Sequence, residues 1–240
     1  MVFMKRLLVF GYLFLAFCFL LTGCKTTKTG SVAEAPPVLV MENPPKTLAI
    51  LPFENNSVTD PLKYVPLSKG IAAMLITDLN RAGTSIKLIE REKIQALLKE
   101  IALGQSGAID QATAVRVGRV LGAQSIGFGS FMVLEEAVRI DLRIINVETS
   151  EVIMADSVTG NSGNFISLEQ NLAKRIARSL KVALKPEKAS GKSDISGALY
   201  FSIGVDAYDQ GDHKTAEMMF EKAVAIDPSY RQKIRIIRGS

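Results

Sequence analysis

The side chains that could do chemistry are few and far apart. The chain has two cysteines, Cys18 and Cys24, and one histidine, His213. A structural zinc site takes about four Cys or His ligands and a catalytic one about three, with carboxylates able to fill in, so Cys/His zinc sites are excluded. His213 has no second His or Cys to work with and reads as a surface or packing residue. Glu135 and Glu136 are adjacent, so on a strand they would point to opposite faces. A glycosidase pair must instead converge at about 5 to 9.5 Å, which makes a turn the better home for them. Gly127-Phe128-Gly129 is half of a dinucleotide fingerprint, but it enters a strand and does not open a helix. There is no G-x-S-x-G. The residues therefore predict no catalytic site, no cofactor and no metal.

Charge adds a second exclusion. The formal net charge is +5, of which Lys5 and Arg6 hold +2 and Arg231, Lys233, Arg235 and Arg238 hold +4, leaving −1 for everything between. The basic stripe with which nucleic-acid binders neutralise phosphates is missing from the middle of the chain. The basic tail reads as the solvated face of a capping helix, with anionic headgroups as the other possible contact. With 240 residues, 48% of them hydrophobic, the chain has enough material for one or two globular domains.

At the amino terminus, Lys5 and Arg6 precede the uncharged run Leu7 to Leu21, which meets Thr22, Gly23 and Cys24. That run is shorter than the roughly 20 residues a membrane-spanning helix needs, and it has the form of a signal peptide covering 1–23. Leu21-Thr22-Gly23-Cys24 resembles the lipobox of bacterial lipoproteins. The resemblance implies diacylglycerol on the Cys24 thiol and a further acyl chain on its freed amine. Three chains exceed the two signals that stable anchoring takes. Lys25, where a retained lipoprotein of enteric bacteria has aspartate, implies the periplasmic face of the outer membrane. Residues 24–46, rich in Thr, Lys and Pro, read as a tether with a coil dimension of roughly 26 Å.

Beyond the tether the periodicity lays out a domain. Thr47–Phe53 is a buried-strand run, and Ser68 opens a helix whose Ile71, Leu75 and Leu79 share a face. Ile86 to Ile89 suggest a second strand. Ile94, Leu97, Leu98 and Ile101 stripe another helix, and Asp110 caps a third that runs to Gly122. From Ala123 the period drops to two. Ser125–Val133, the alternating Arg139–Ile144 and Glu151–Val158 form a meander with one wet face. A Ser167-to-Gln170 capping box then starts a helix to Leu184. The order β-α-β-α-α-β-β-β-α predicts an α/β (α+β) domain over 47–185, a mixed sheet with packed helices, followed by a linker at 186–196.

Leu48-Ala-Ile-Leu-Pro-Phe-Glu-Asn55, Leu88-Ile-Glu-Arg-Glu-Lys-Ile94, the segment Leu121 to Ser130 and the segment Leu142 to Val152 come in the order of the CsgG-like family of curli production assembly and transport lipoproteins, which this chain resembles. It is also similar to the related LpoB-type lipoproteins that activate peptidoglycan synthases. Where such proteins commonly have glycine in a hairpin turn, this chain has Ser150. The family's secretion channel uses two long membrane hairpins per subunit, with strands of about 9 to 11 residues. Gly129 to Ile140, with Glu135 and Glu136 inside it, leaves no room for one. Residues 197–240 resemble one tetratricopeptide repeat, a 34-residue helical hairpin, plus a capping helix. Tyr200, Ile203, Gly204, Gly211, Ala216, Phe220, Ala223 and Pro228 fall on its consensus positions. Gly204 and Ala216 are small because the two helices cross there. A lone repeat cannot bury its own face, so it must pack on the first domain, on a partner or on another copy.

Together these resemblances imply a non-enzymatic outer-membrane lipoprotein. It would scaffold export or assembly of envelope components, with a protein partner on the repeat hairpin, homo-oligomers possible and no nucleic acid. The alternatives are an activator of a peptidoglycan synthase and an oligomeric secretion pore. A tether of 22 residues spans at most roughly 75 Å, which weighs against reaching a synthase across the wall.

Overall fold

The computed structural model describes residues 44–81, 85–101, 109–182, 184 and 194–239, all within one compact unit, Val38–Ser240. The signal segment, Leu21 to Cys24, the tether before Pro44 and most of the expected linker lie outside the described residues.

The sheet is built around β1 (Thr47–Ile50), whose residues are apolar on both faces. Leu48 and Ile50 enter one core, while Ala49 and the following Leu51 enter another. A strand buried on both faces belongs in the middle of a covered parallel sheet. Accordingly β1 pairs in parallel with β3 (Lys87–Leu88) on one side and β4 (Ser125–Leu134) on the other. β5 (Ala137–Asn146) and β6 (Val152–Asn161) continue from β4 as an antiparallel meander. The order is β3-β1-β4-β5-β6, with β2 (Glu54–Asn55) pairing β4 off this path, so the fold is mixed α/β as the sequence predicts. In β5, Val138, Ile140, Leu142 and Ile144 are buried. Between them, Arg139 clamps Asp141 on the wet face at 2.6 and 2.8 Å.

Seven α-helices occur among the described residues: α1 (Leu67–Arg81), α2 (Arg91–Glu100), α3 (Gln111–Val120), α4 (Phe165–Ser179), α5 (Ile195–Asp209), α6 (His213–Ile226) and α7 (Tyr230–Ile237). Ile94 and Leu98 of α2, with Ala114, Val115 and Val117 of α3, cover the face of Ala49, Ile126 and Ile145. The opposite face is covered by α1 and α4, and α5 to α7 join that same core. α1 is thereby enclosed, which is why Gly70, Ala73, Met74 and Thr77 are as buried as Ile71 and Leu75. An all-round buried helix is what apolar residues on every face of α1 encode.

Several boundaries differ from the sequence expectation. β1 ends at Ile50, and Leu51 and Phe53 leave the strand to bond Gly127 and Ser68 of α1. β6 runs on to Asn161, because its last residues pair with the start of β5. The Ser167–Gln170 capping box does not form: α4 begins two residues earlier, at the fully buried Phe165, after a 3-10 turn in which Asn161 accepts from the Gly163 N–H. The helix also stops at Ser179, well short of Leu184. Lys181 adopts φ 54° there, and the Val182 N–H returns to the Ala177 carbonyl at 2.7 Å.

Ser150, at the β5–β6 turn, has φ 62°. This is a left-handed backbone that costs an ordinary residue about 1 to 2 kcal/mol and glycine almost nothing. Ser150→Gly is expected to raise stability by about 0.5 to 1 kcal/mol, read as a higher urea midpoint at unchanged m-value. No gain would mean that the turn, held by the Gln111 amide on the Ser150 carbonyl at 2.8 Å, carries no strain.

Candidate interaction site

The chemistry-bearing residues singled out in the sequence do not converge. His213 is the first residue of α6, edge-on to Tyr208 with ring centroids 5.2 Å apart. Glu135 sits in the β4–β5 turn at φ 52°, and Glu136 accepts from the Asn161 amide at 3.0 Å, so the carboxylate pair belongs to turn structure. Gly127 and Gly129 lie within β4, packed on β1 and β5. Among the described residues no group of three or more His, Cys, Asp or Glu is placed to hold a metal ion, and no helix is long and apolar enough to cross a membrane.

What converges is the helical region. α5 and α6 form an antiparallel hairpin that touches most closely at Gly204. A Cβ there would lie 2.5 Å from the Phe220 ring and 3.3 Å from the Ala216 carbonyl. Ala216, Phe220 and Ala223 are buried in the seam, Tyr200 is half-buried below the Lys222 ammonium at 5.4 Å, and Pro228 is exposed. Gly211, at φ 80°, makes the turn. Asp212 caps α6 by accepting from the Thr215 N–H at 3.0 Å. Tyr230 of α7 stacks on Phe201 with centroids 5.3 Å apart and closes the hairpin's other side.

Hydrogen bonding from Thr215, by side chain and by backbone N–H, holds the Asp212 carboxyl below the usual carboxylate range. A depressed carboxylate stabilises the fold above its unfolded pKa, and that contribution is lost as pH falls through the folded value. Asp212→Ala is therefore expected to lower Tm by a few degrees at about pH 7, with the gap to the parent protein narrowing as pH falls through the depressed carboxyl pKa. A gap that stays constant with pH would show that the charge of the cap is irrelevant.

The hairpin sits on α1. A Cβ on Gly70 would meet the Ser202 Cβ at 2.5 Å and its Cα at 3.1 Å, so the two helix backbones touch there. Ion pairs surround the crossing. Lys69 pairs with Asp206, and Arg91 at the start of α2 pairs with Asp209, both partners of the second pair being largely buried. Burial lowers the Arg91 pKa, against the opposing pull of Glu92 and Tyr208. Deepest lies Lys233 of α7. It is fully buried, bonded to Asp78 of α1 and 3.5 Å from Glu169 of α4. Arg81 stands 3.7 Å from Asp78. This corrects the reading of the basic tail as a wholly solvated face: Arg231, Arg235 and Arg238 are exposed, but Lys233 is core. Gly70, Ser202 and these ion pairs are absent from the sequence-based site. The helical hairpin thus packs on α1, one of the three ways open to a lone hairpin.

Comparison with known proteins gives a partial match. Residues 38–139 match the family model of the curli production assembly/transport component CsgG. That span takes in β1 to β4 with α1 to α3 and ends at the start of β5. No curated protein matches the chain. Among solved structures, the C-terminal domain of LpoB from Escherichia coli is 13% identical, with 51% of this chain and 87% of that one covered at a TM-score of 0.36. Lipoprotein GNA1162 from Neisseria meningitidis is 14% identical, with 55% and 99% covered at 0.41. A PelC dodecamer from Paraburkholderia phytofirmans is 13% identical, with 64% and 96% covered at 0.37.

Proposed function

We propose that this chain is a non-enzymatic, lipid-anchored envelope protein, held by Cys24 at the periplasmic face of the outer membrane, that scaffolds export or assembly of envelope components through protein contacts. The observation that carries the reading is the match of residues 38–139 to a curli assembly and transport family. The Leu21-Thr22-Gly23-Cys24 pattern upstream supports the anchor. The charged groups that the fold gathers, Lys233 with Asp78 and Glu169 and Arg91 with Asp209, are engaged in holding helices together. α5 and α6 act as one tetratricopeptide repeat and present their outer surface to a partner. The meander supports a scaffold over a pore: β4, β5 and β6 are ten residues long, but β5 spends its apolar face on α1 and α4 and carries Arg139, Asp141 and Arg143 on the other.

The test is expression of the full chain in a Gram-negative host with labelled palmitate, followed by membrane fractionation and chemical cross-linking. The label and outer-membrane sedimentation are expected to depend on Cys24 and to vanish in Cys24→Ala, and the cross-linked partners should be export or assembly components. A synthase as the cross-linked partner would move the reading to activation. Unlabelled soluble protein, or glycan turnover by the purified chain, would overturn it.

A further inference from the structure

Between α6 and α7 runs an open cleft of about 720 Å³ whose floor is Phe220 and Ile234. Its two walls carry opposite charge. Glu217 and Glu221 stand on the α6 side, and Arg231, Arg235 and Arg238 on the α7 side. The cleft is closed at one end, where Arg238 pairs with Glu217 and its guanidinium lies 5.8 Å over the Phe220 ring. That pair fixes the antiparallel register of the two helices. Glu221 lies one turn along the first helix from Glu217, and Arg235 one turn along the second from Arg238, on opposite walls of the cleft. Glu221 and Arg235 are both exposed, and neither makes an ion pair among the described residues.

A partner of single charge would be attracted by one wall and repelled by the other, at a cost of like-charge juxtaposition. The occupant must be bipolar in the same sense as the cleft. A second copy of this chain meets that condition. With a two-fold axis along the cleft, each copy's acidic wall faces the other's basic wall and Glu221 opposes Arg235 twice, the self-complementarity that an isologous interface requires. We propose that the α6–α7 cleft is a homodimer interface closed by two reciprocal Glu221–Arg235 pairs. This interface shares α6 with the partner surface of the scaffold reading but uses neither Cys24 nor the span matched by the family model, so the two can fail separately.

The test is a charge swap read by light scattering and sedimentation velocity on the full chain in detergent. The parent protein is expected to dimerise. Glu221→Lys and Arg235→Glu each set like charges opposite one another at two places, and each should raise the dimer Kd by at least about tenfold. Mixed together, the two variants regain both opposite-charge pairs and should form a heterodimer of near-parental affinity. Both sites are exposed, so each variant should keep its parental Tm within about 2 °C. A parent that stays monomeric at about 100 µM overturns the proposal. So does an oligomer indifferent to both variants, or a mixture that fails to pair.

Discussion

Lys233→Met is expected to destabilise the folded unit by about 3 to 5 kcal/mol and to lower Tm by roughly 10 °C. The ammonium of Lys233 is fully buried against the carboxylates of Asp78 and Glu169, with Arg81 the further cation beside Asp78. Methionine keeps the volume of the side chain but leaves one buried negative charge in excess, and an unpaired buried charge costs far more than the intact cluster contributes. The size of the effect therefore reports desolvation and not the net strength of the ion pairs. The double variant Glu169→Gln, Lys233→Met separates the two. With one charge of each sign removed and Asp78 left against Arg81, it should regain more than half of the loss. Urea unfolding of the parent and both variants measures this. A single variant within about 1 kcal/mol of the parent would mean that water reaches the cluster and that α7 is held by Tyr230, Ile234 and Ile237 alone.

The sheet and most helices are legible in the sequence because each carries its own periodicity. Val138, Ile140, Leu142 and Ile144 alternate with Arg139, Asp141 and Arg143, and that pattern admits only a strand with one wet face. Asp110 marks the start of α3 by the side chain that bonds the Thr113 N–H at 2.7 Å. Element ends do not follow the local sequence where long-range packing sets them. Phe165 starts α4 because it fills the core, against the local preference of Ser167 to cap. The two-residue strand β2 has too few side chains to show any period.

The docking face was hidden for a different reason. Lys233, Asp78 and Glu169 each occupy the i+3 place of an apolar stripe: Tyr230, Lys233, Ile234, Ile237 in α7; Ile71, Leu75, Asp78, Leu79 in α1; Ile166, Glu169, Leu172, Ala173 in α4. A lone charge inside such a stripe looks like an imperfection of one helix. Three of them, of both signs, on three helices are the mark of a buried cluster, and only the tertiary arrangement says that they meet. The Gly70, Ala73, Met74 and Thr77 side of α1 carries the same message, since a helix with one covered face has no use for a second buried one.

Gly70→Leu is expected to cost at least about 3 kcal/mol, the upper end for overpacking a core. Its Cβ would already stand 2.5 Å from the Ser202 Cβ and 3.1 Å from the Ser202 Cα, so a rotamer change of Ser202 cannot clear the site. α1 cannot retreat, because Ile71 and Leu75 press on the sheet from its other side. α5 must move, and its displacement pulls on Lys69–Asp206 and Arg91–Asp209 together. The smaller change Gly70→Ala should cost less, and Gly70→Ala with Ser202→Gly should recover most of that loss by removing the Cβ–Cβ contact. Hydrogen exchange decides what kind of unit is damaged. One continuous core runs from Leu48 and Ile140 through Ile71 to Phe201 and Ile234, so α1 is a shared wall and protection should fall together in β4, β5 and α5 to α7. Loss confined to α5–α7, with the meander as protected as before, would mean that the helical region is an independent folding unit resting on the sheet domain, and the shared-core argument would fail.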